Sequence, residues 1–217
     1  MEEVEHDADG GVKEKAQARV PYAAIDRFMG ETFASQLLKE ACAREVDFDR
    51  TEVTSDEESR ALDLNSRRSW MLRNGRVLLG EFEAQARHQA SNLLASIGME
   101  PIADLIFECG LFAHRDGDYF RKHIDLFAAE RRRHANHDRI ATLVYYLHLQ
   151  PKRFEGGELV LYPVAGPSEP VRLAPEHDRL VAFPAYLPHE VEPITIAGDV
   201  FAHARFSINC WLGRPRE

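Results

Sequence analysis

The feature that most constrains this chain begins after Pro101, where short apolar or alternating runs follow one another between turn residues. The runs are IADLIFECGLFAH, YFRKHIDLF, RIATLVYYLHL, GELVLY, RLVAFP, HEVEPITI and VFAHARFSINCWL. Strands in such succession bury their apolar faces by packing sheet on sheet or by closing into a barrel. Upstream the pattern differs. From Tyr22 to about Arg44, Ile25, Phe28, Met29, Phe33, Leu37, Leu38 and Cys42 recur at helical spacing and predict a helix or helix pair. Phe82, Ala86, Leu93, Leu94 and Ile97 fall on one side of a further helix that starts near Glu81 and ends near Gly98. The polar stretch from Asp47 to Arg76 has weak periodicity and reads as irregular strand and loop. Residues 1–18 hold charges and a Gly pair with no apolar period, so they read as a flexible acidic tail. The remainder, 19–217, is long enough to bury one core unaided, with helical support at about 22–98 and a β core at about 102–214.

Composition narrows the function classes. No apolar run approaches the roughly 20 residues that span a bilayer. The amino terminus, MEEVEHDADGGVKEKAQ, lacks the basic start and apolar segment of a secretory signal. A cytoplasmic protein is therefore expected. Cys42, Cys109 and Cys210 form no CxxC pair, so they read as reduced, mostly buried thiols rather than a disulfide framework or a zinc knuckle. A formal net charge of -9 disfavours nucleic acid as a partner, because that affinity depends on Lys and Arg neutralising phosphates. One basic run stands against this balance: Arg131, Arg132 and Arg133.

His123 and Asp125 occur as H-x-D within YFRKHIDLF. On a strand, residues two apart share a face, so the imidazole and the carboxylate point together while Ile124 points away. A third ligand must come from elsewhere in the fold, and His189 in AYLPHEVEPI is the best candidate. Two imidazoles and one carboxylate leave other coordination positions open, which suits ferrous iron binding a co-substrate and dioxygen together. Closed structural zinc sites do not do this. Taken singly, each of the three residues reads as structural, since H-x-D recurs by chance and a His after Pro is more often a loop residue.

Arg205 joins them. Written as a strand, its segment puts Ala202, Ala204, Phe206, Ile208 and Cys210 on one face and His203, Arg205, Ser207 and Asn209 on the other. The polar face fits a pocket floor, with the guanidinium forked onto a carboxylate and the Ser207 hydroxyl adding a donor. RIATLVYYLHL splits in the same way, Thr142, Val144, Tyr146 and His148 against Leu143, Tyr145, Leu147 and Leu149. The Tyr146 hydroxyl could donate to the same carboxylate, or pack in the core with backbone as its partner.

In order and spacing, GDYFRKHID, RIATLVYYLHL, FEGGELVLY, DRLVAFP, LPHEVEPI and RFSINCWL resemble the prolyl 4-hydroxylase-like branch of the iron(II)- and 2-oxoglutarate-dependent oxygenases, over roughly residues 102–214. The resemblance implies a mainly β fold, a double-stranded β-helix or distorted jelly roll, with N-terminal helices against its major sheet. It implies His123, Asp125 and His189 as ligands of Fe(II). Arg205 with Ser207, joined by Tyr146, would hold the distal carboxylate of 2-oxoglutarate. The activity implied is hydroxylation of an unactivated C–H, with O2 consumed, succinate and CO2 released, and ascorbate as a stimulant. A prolyl or other protein side chain is the expected substrate, and a free amino acid or small metabolite the alternative.

The chain also departs from the pattern. Arg205 lies further from the distal His than in many members, through the turn ITIAGDVFAHA. The H-x-D carboxylate disfavours the halogenase variant, and RFSINCW is not the R-x-N-x-T-x-R of nucleic-acid demethylases. A cupin-type dioxygenase without 2-oxoglutarate is disfavoured by Arg205 and Ser207, and a non-catalytic metal-binding or sensing module by the intact ligand set. In the resembling family the loop LFAAERRRHANHDR borders the substrate entrance. Arg131, Arg132 and Arg133 would then line it and favour an acidic or carboxylate-bearing substrate, or else form a solvated helical turn.

Overall fold

A computed structural model describes residues 20–51, 66–75, 78–198 and 200–216, and the expected tail at 1–18 lies outside them. Every described strand pairing is antiparallel. The larger sheet contains β1 (Ala23–Asp26), β2 (Phe48–Arg50), β4 (Trp70–Leu72), β5 (Ile106–His114), β7 (His137–Leu147), β11 (Arg179–Pro184) and β14 (Arg205–Pro215). Their order across the sheet is β1-β11-β7-β14-β5-β4-β2. The smaller sheet contains β3 (Arg67–Arg68), β6 (Tyr119–His123), β9 (Leu159–Leu161), β10 (Val171–Leu173) and β12 (His189–Val191), ordered β10-β9-β12-β6-β3. A separate ribbon joins β8 (Phe154–Gly156) to β13 (Ile194–Ile196). This is the mainly β, distorted jelly-roll architecture expected from the run of short strands.

Register explains how one sheet serves two purposes. Tyr146, Val144 and Thr142 of β7 lie opposite Ser207, Asn209 and Trp211 of β14, and directly paired residues point to the same side. Their neighbours Leu143, Tyr145, Leu147, Phe206, Ile208, Cys210 and Leu212 point to the other side. There they pack with Leu37, Leu38, Phe82, Leu93 and Leu94 from the helices α1 (Glu31–Ala43), α2 (Gly80–His88) and α3 (Ala90–Ser96). The inner side meets the smaller sheet in a second cluster, Val144, Tyr146, Val181 and Phe183 against Leu159, Leu161 and Leu173.

The structure departs from the sequence reading in three places, the first through a tertiary contact. The apolar pattern from Tyr22 begins not as helix but as β1, which pairs with β11 so that Ala24 faces Val181. Asp178 ends that strand: its carboxylate accepts from the Met29 and Gly30 N–H groups (3.0 Å each) and from the Tyr145 hydroxyl (2.7 Å), and α1 starts immediately after. The second helix breaks at Gln89 into α2 and α3. The polar stretch after Asp47 supplies β2, β3 and β4, so the support expected at 22–98 is partly strand. Among the described residues no helix is long and apolar enough to cross a membrane. The Cys109 thiol donates to Cys210 across β5 and β14, and both remain free cysteines, as does Cys42.

Candidate metal centre and co-substrate pocket

His123 closes β6 and His189 opens β12, and the two are direct partners across the smaller sheet. Asp125 follows His123 by two residues, held where the chain turns off β6 by its N–H bonding to Ala185 O (2.9 Å). The ligand atoms of the three residues all lie within 4.8 Å of one another. His123 Nε2 is 3.6 Å from Asp125 Oδ1, and His189 Nε2 is 3.5 Å from Asp125 Oδ2. Asp125 and His189 are only 8% and 6% exposed at the side chain against 20% for His123, so the cluster opens on the His123 side.

Neighbouring groups fix the orientation of all three. His123 Nδ1 bonds Arg121 O and His189 Nδ1 bonds Leu187 O, each at 2.8 Å. A carbonyl only accepts, so both Nδ1 atoms carry the proton and both Nε2 atoms present a lone pair to the shared space. Thr142 Oγ1 donates to Asp125 Oδ2 at 2.6 Å. Phe120 stacks on the His123 ring (3.5 Å between centroids) and Phe183 meets His189 edge-on (4.7 Å).

Electrostatics keep the donors in metal-binding form. Burial pushes His189 down to about 4, against the pull of Asp125, so it is neutral near pH 7. Burial alone would raise Asp125, but His189, His123 and the Thr142 hydroxyl outweigh it and hold the carboxyl well below its usual range. With both Nε2 lone pairs turned inward, the Thr142 hydroxyl is the hydrogen-bond donor that the carboxylate keeps. One carboxylate and two neutral imidazoles, converging with room left over, form a fitting donor set for a divalent first-row metal.

The same cavity, between the sheets, carries an organic-anion site. Arg205 is 1% exposed and Tyr146 wholly buried, and both line it. Arg205 Nη1 donates to His114 Nδ1 at 3.0 Å, its strand partner across β14 and β5. Arg205 Nε, the Tyr146 hydroxyl and His114 Nε2 are buried and without hydrogen-bond partners. Burial, with the charges of Arg205 and Arg67 behind it, pushes His114 well below its ordinary value, so its ring is neutral with the proton on Nε2. Three buried donors without partners, on residues that line one pocket, match a ligand that brings carboxylate oxygens. The turn between β8 and β9 permits this packing: Gly157 has φ +74°, and a Cβ there would stand 3.1 Å from Arg205 Cδ.

The structure thus brings together His123, Asp125, His189, Arg205, Ser207 and Tyr146 around one cavity. The Ser207 hydroxyl, however, donates to Asn209 Oδ1 (3.1 Å) rather than into the pocket. His203 lies in a 3-10 turn ahead of β14, and His148 leaves the pocket face to pack edge-on against Phe154 and His177. Arg131, Arg132 and Arg133 sit on α4 (Ala129–His134), with acidic partners in Glu108 (3.7 Å), Asp138 (2.6 Å) and Glu130 (2.8 Å), and none lines the cavity. Sequence reasoning missed Thr142 as the Asp125 partner, His114 and Arg67. For His114 a signal existed, since it ends an alternating run, but its partner Arg205 lies 91 residues away.

The family described as the 2OG-Fe(II) oxygenase superfamily matches residues 109–213. An uncharacterized PKHD-type hydroxylase of Synechocystis sp. is 26% identical over 200 residues, which cover 88% of this chain and 62% of that protein, so the chain spans less than two thirds of its relative. A prolyl hydroxylase from Trichoplax adhaerens, solved with a hypoxia-inducible-factor peptide fragment, superposes with a TM-score of 0.64 at 21% identity, covering 89% of this chain and 83% of that one. A Pseudomonas putida prolyl-4-hydroxylase gives 0.60 at 22% identity, covering 91% and 94%. These two likenesses establish the fold.

Proposed function

We propose, from the premise that residues 109–213 form a domain of the 2OG-Fe(II) oxygenase superfamily, that this chain is an Fe(II)- and 2-oxoglutarate-dependent dioxygenase hydroxylating an unactivated C–H, with a prolyl or other protein side chain as its substrate class. The observation that carries this reading is the shared cavity, in which an oriented His123, Asp125, His189 set faces the orphaned donors of Arg205, Tyr146 and His114. His123, Asp125 and His189 would hold the metal, and Arg205 with Tyr146 the distal carboxylate of 2-oxoglutarate. Iron, 2-oxoglutarate and O2, when bound, supply the oxidation, one oxygen atom entering the C–H bond and the other entering succinate as CO2 leaves.

The protein's own contribution is orientation and exclusion of water. Thr142 keeps Asp125 turned toward the imidazoles, the Arg121 and Leu187 carbonyls keep both Nε2 lone pairs inward, and His114 holds the guanidinium across the strand pair. Leu159, Val144 and Val191 give the cavity apolar walls. Support for a polypeptide substrate comes from the prolyl hydroxylases that share the fold and from exposed Ile124, Leu126 and Tyr186, which flank Asp125 and precede Leu187.

The test is anaerobic addition of Fe(II) and then 2-oxoglutarate, with a weak visible charge-transfer band expected for the chain and lost in Asp125→Ala. Succinate release across a panel of proline-containing peptides, with mass analysis for an added oxygen, then identifies the substrate. A chain that gives no band, or a band indifferent to Asp125→Ala, overturns the reading.

A further inference from the structure

The cavity holds a second arginine. Arg67, on β3 at the edge of the smaller sheet, lines it beside Phe120 and His123. Its Nε donates to Ser69 Oγ at 2.7 Å, and Ser69 is itself bonded to Thr51, so the side chain is held from behind. Its guanidinium lies over the rings of Phe120 (4.6 Å) and Phe112 (4.9 Å). Among the described residues no carboxylate comes within ion-pairing distance of it. Asp125 acts on it through space, but both oxygens of that carboxylate face Thr142 and the two imidazoles. Burial lowers Arg67 to about 10, which still leaves it a full cation at neutral pH.

In the loaded pocket a metal dication and a 2-oxoglutarate dianion cancel, while Glu158 acts through space on Arg205 and Asp125 on Arg67. Half-buried at the pocket, Arg67 has among the described residues no carboxylate at ion-pairing distance to neutralise it. Nor has the co-substrate a carboxylate to spare, since one would lie at the metal and the other at Arg205. Resting on the function proposed above, we infer that Arg67 binds a carboxylate of the primary substrate and so selects an acid whose oxidised carbon lies close to that carboxylate. The specificity expected of Arg131, Arg132 and Arg133 thereby moves from the surface into the pocket.

A carboxylate can come from a free acid or from an acidic peptide side chain, and two pairs of probes separate these sources. The first is N-acetyl-L-proline against N-acetyl-L-prolinamide. The second is an end-blocked proline pentapeptide carrying one aspartate against its asparagine counterpart. Each is titrated anaerobically into the Fe(II)- and 2-oxoglutarate-loaded protein, with perturbation of the visible band as the readout. At least one acid should bind about 10- to 100-fold tighter than its amide, the range of one charge-assisted contact. That preference should vanish in Arg67→Gln and Arg67→Met and return in part in Arg67→Lys, while the affinity for 2-oxoglutarate stays within about twofold. Acids that bind no better than amides, or a preference that survives in Arg67→Gln, overturn the inference. So does loss of 2-oxoglutarate binding in Arg67→Gln, which would make the residue a co-substrate clamp. Absence of the band from the unaltered protein fails the oxygenase reading instead, so the two failures are distinguishable.

Discussion

At the scale of single residues, the candidate site depends on hydrogen bonds that are made and on others left open. Thr142→Val keeps the shape of the side chain and removes the 2.6 Å bond to Asp125. Fe(II) affinity, followed by titration, should fall about tenfold or more with little change in fold, as for other groups that orient metal ligands. Tyr146→Phe acts in opposite directions on two quantities. The hydroxyl is buried without a partner, so its removal should stabilise the ligand-free protein by about 1 kcal/mol in a denaturant melt. The same change should weaken 2-oxoglutarate about tenfold, because the loaded site loses a donor. A residue that lowers stability when empty and gains a partner when filled is a binding residue. The metal set was legible in the sequence because H-x-D places two donors on one strand face. Its orienting groups were not, since the Arg121 and Leu187 carbonyls carry no side-chain signature and Thr142 is read only through its strand register. Arg67 was illegible for a related reason, lying on a two-residue strand inside a stretch without periodicity.

Among elements, β14 organises the rest, with β5 on one side and β7 on the other, and its alternation was readable as one dry and one polar face. Its start was not, because Phe201–His203 form a 3-10 turn where the written pattern continues as strand. The leading helix was likewise read too long: the pairing of β1 with β11 overrides an apolar spacing that suits either state. Across the three central strands runs a polar clasp in which Glu108 of β5 takes Arg139 of β7 in two bonds of 2.9 Å and His137 in one of 2.7 Å. Burial pushes the Glu108 carboxyl up, but hydrogen bonds and charges from Arg139 and His137 outweigh it and leave it below its ordinary 4.5. A carboxylate whose value is depressed by folding contributes stability above its unfolded value and loses that contribution as pH falls through the folded one. Glu108→Gln should therefore cost about 1–3 kcal/mol at pH 7 and flatten the acid limb of the stability profile below about pH 4.5. Thermal melts from pH 7 to pH 3 check both outcomes, and parallel acid limbs in the two proteins would leave the clasp without this role.

For the molecule as a whole, the larger sheet separates two interiors. One face meets the helices and is apolar, and the other meets the smaller sheet around the cavity. The sequence announced this division in the opposite faces of RIATLVYYLHL, but not which helix residues complete it, since that depends on how α1 and α2 cross the strands. Phe82, wholly buried between Phe28 (6.1 Å) and Tyr145 (5.5 Å), belongs entirely to the helical side. Phe82→Ala should cost about 3–5 kcal/mol by leaving a cavity. Binding of Mn(II) with 2-oxoglutarate to the folded chain should stabilise it by about 2.7 kcal/mol at a hundredfold excess over the dissociation constant. Because the two sites share no direct contact and lie on opposite faces of β7, their effects should add to within about 0.5 kcal/mol. Denaturant melts of the unaltered chain and of Phe82→Ala, each with and without the ligands, measure the four corners of that cycle. Equal ligand shifts would establish that the helices support the sheet without setting the pocket. A much smaller shift in Phe82→Ala would instead mean that helix packing holds Tyr145, and through its neighbour Tyr146 the co-substrate site, in register.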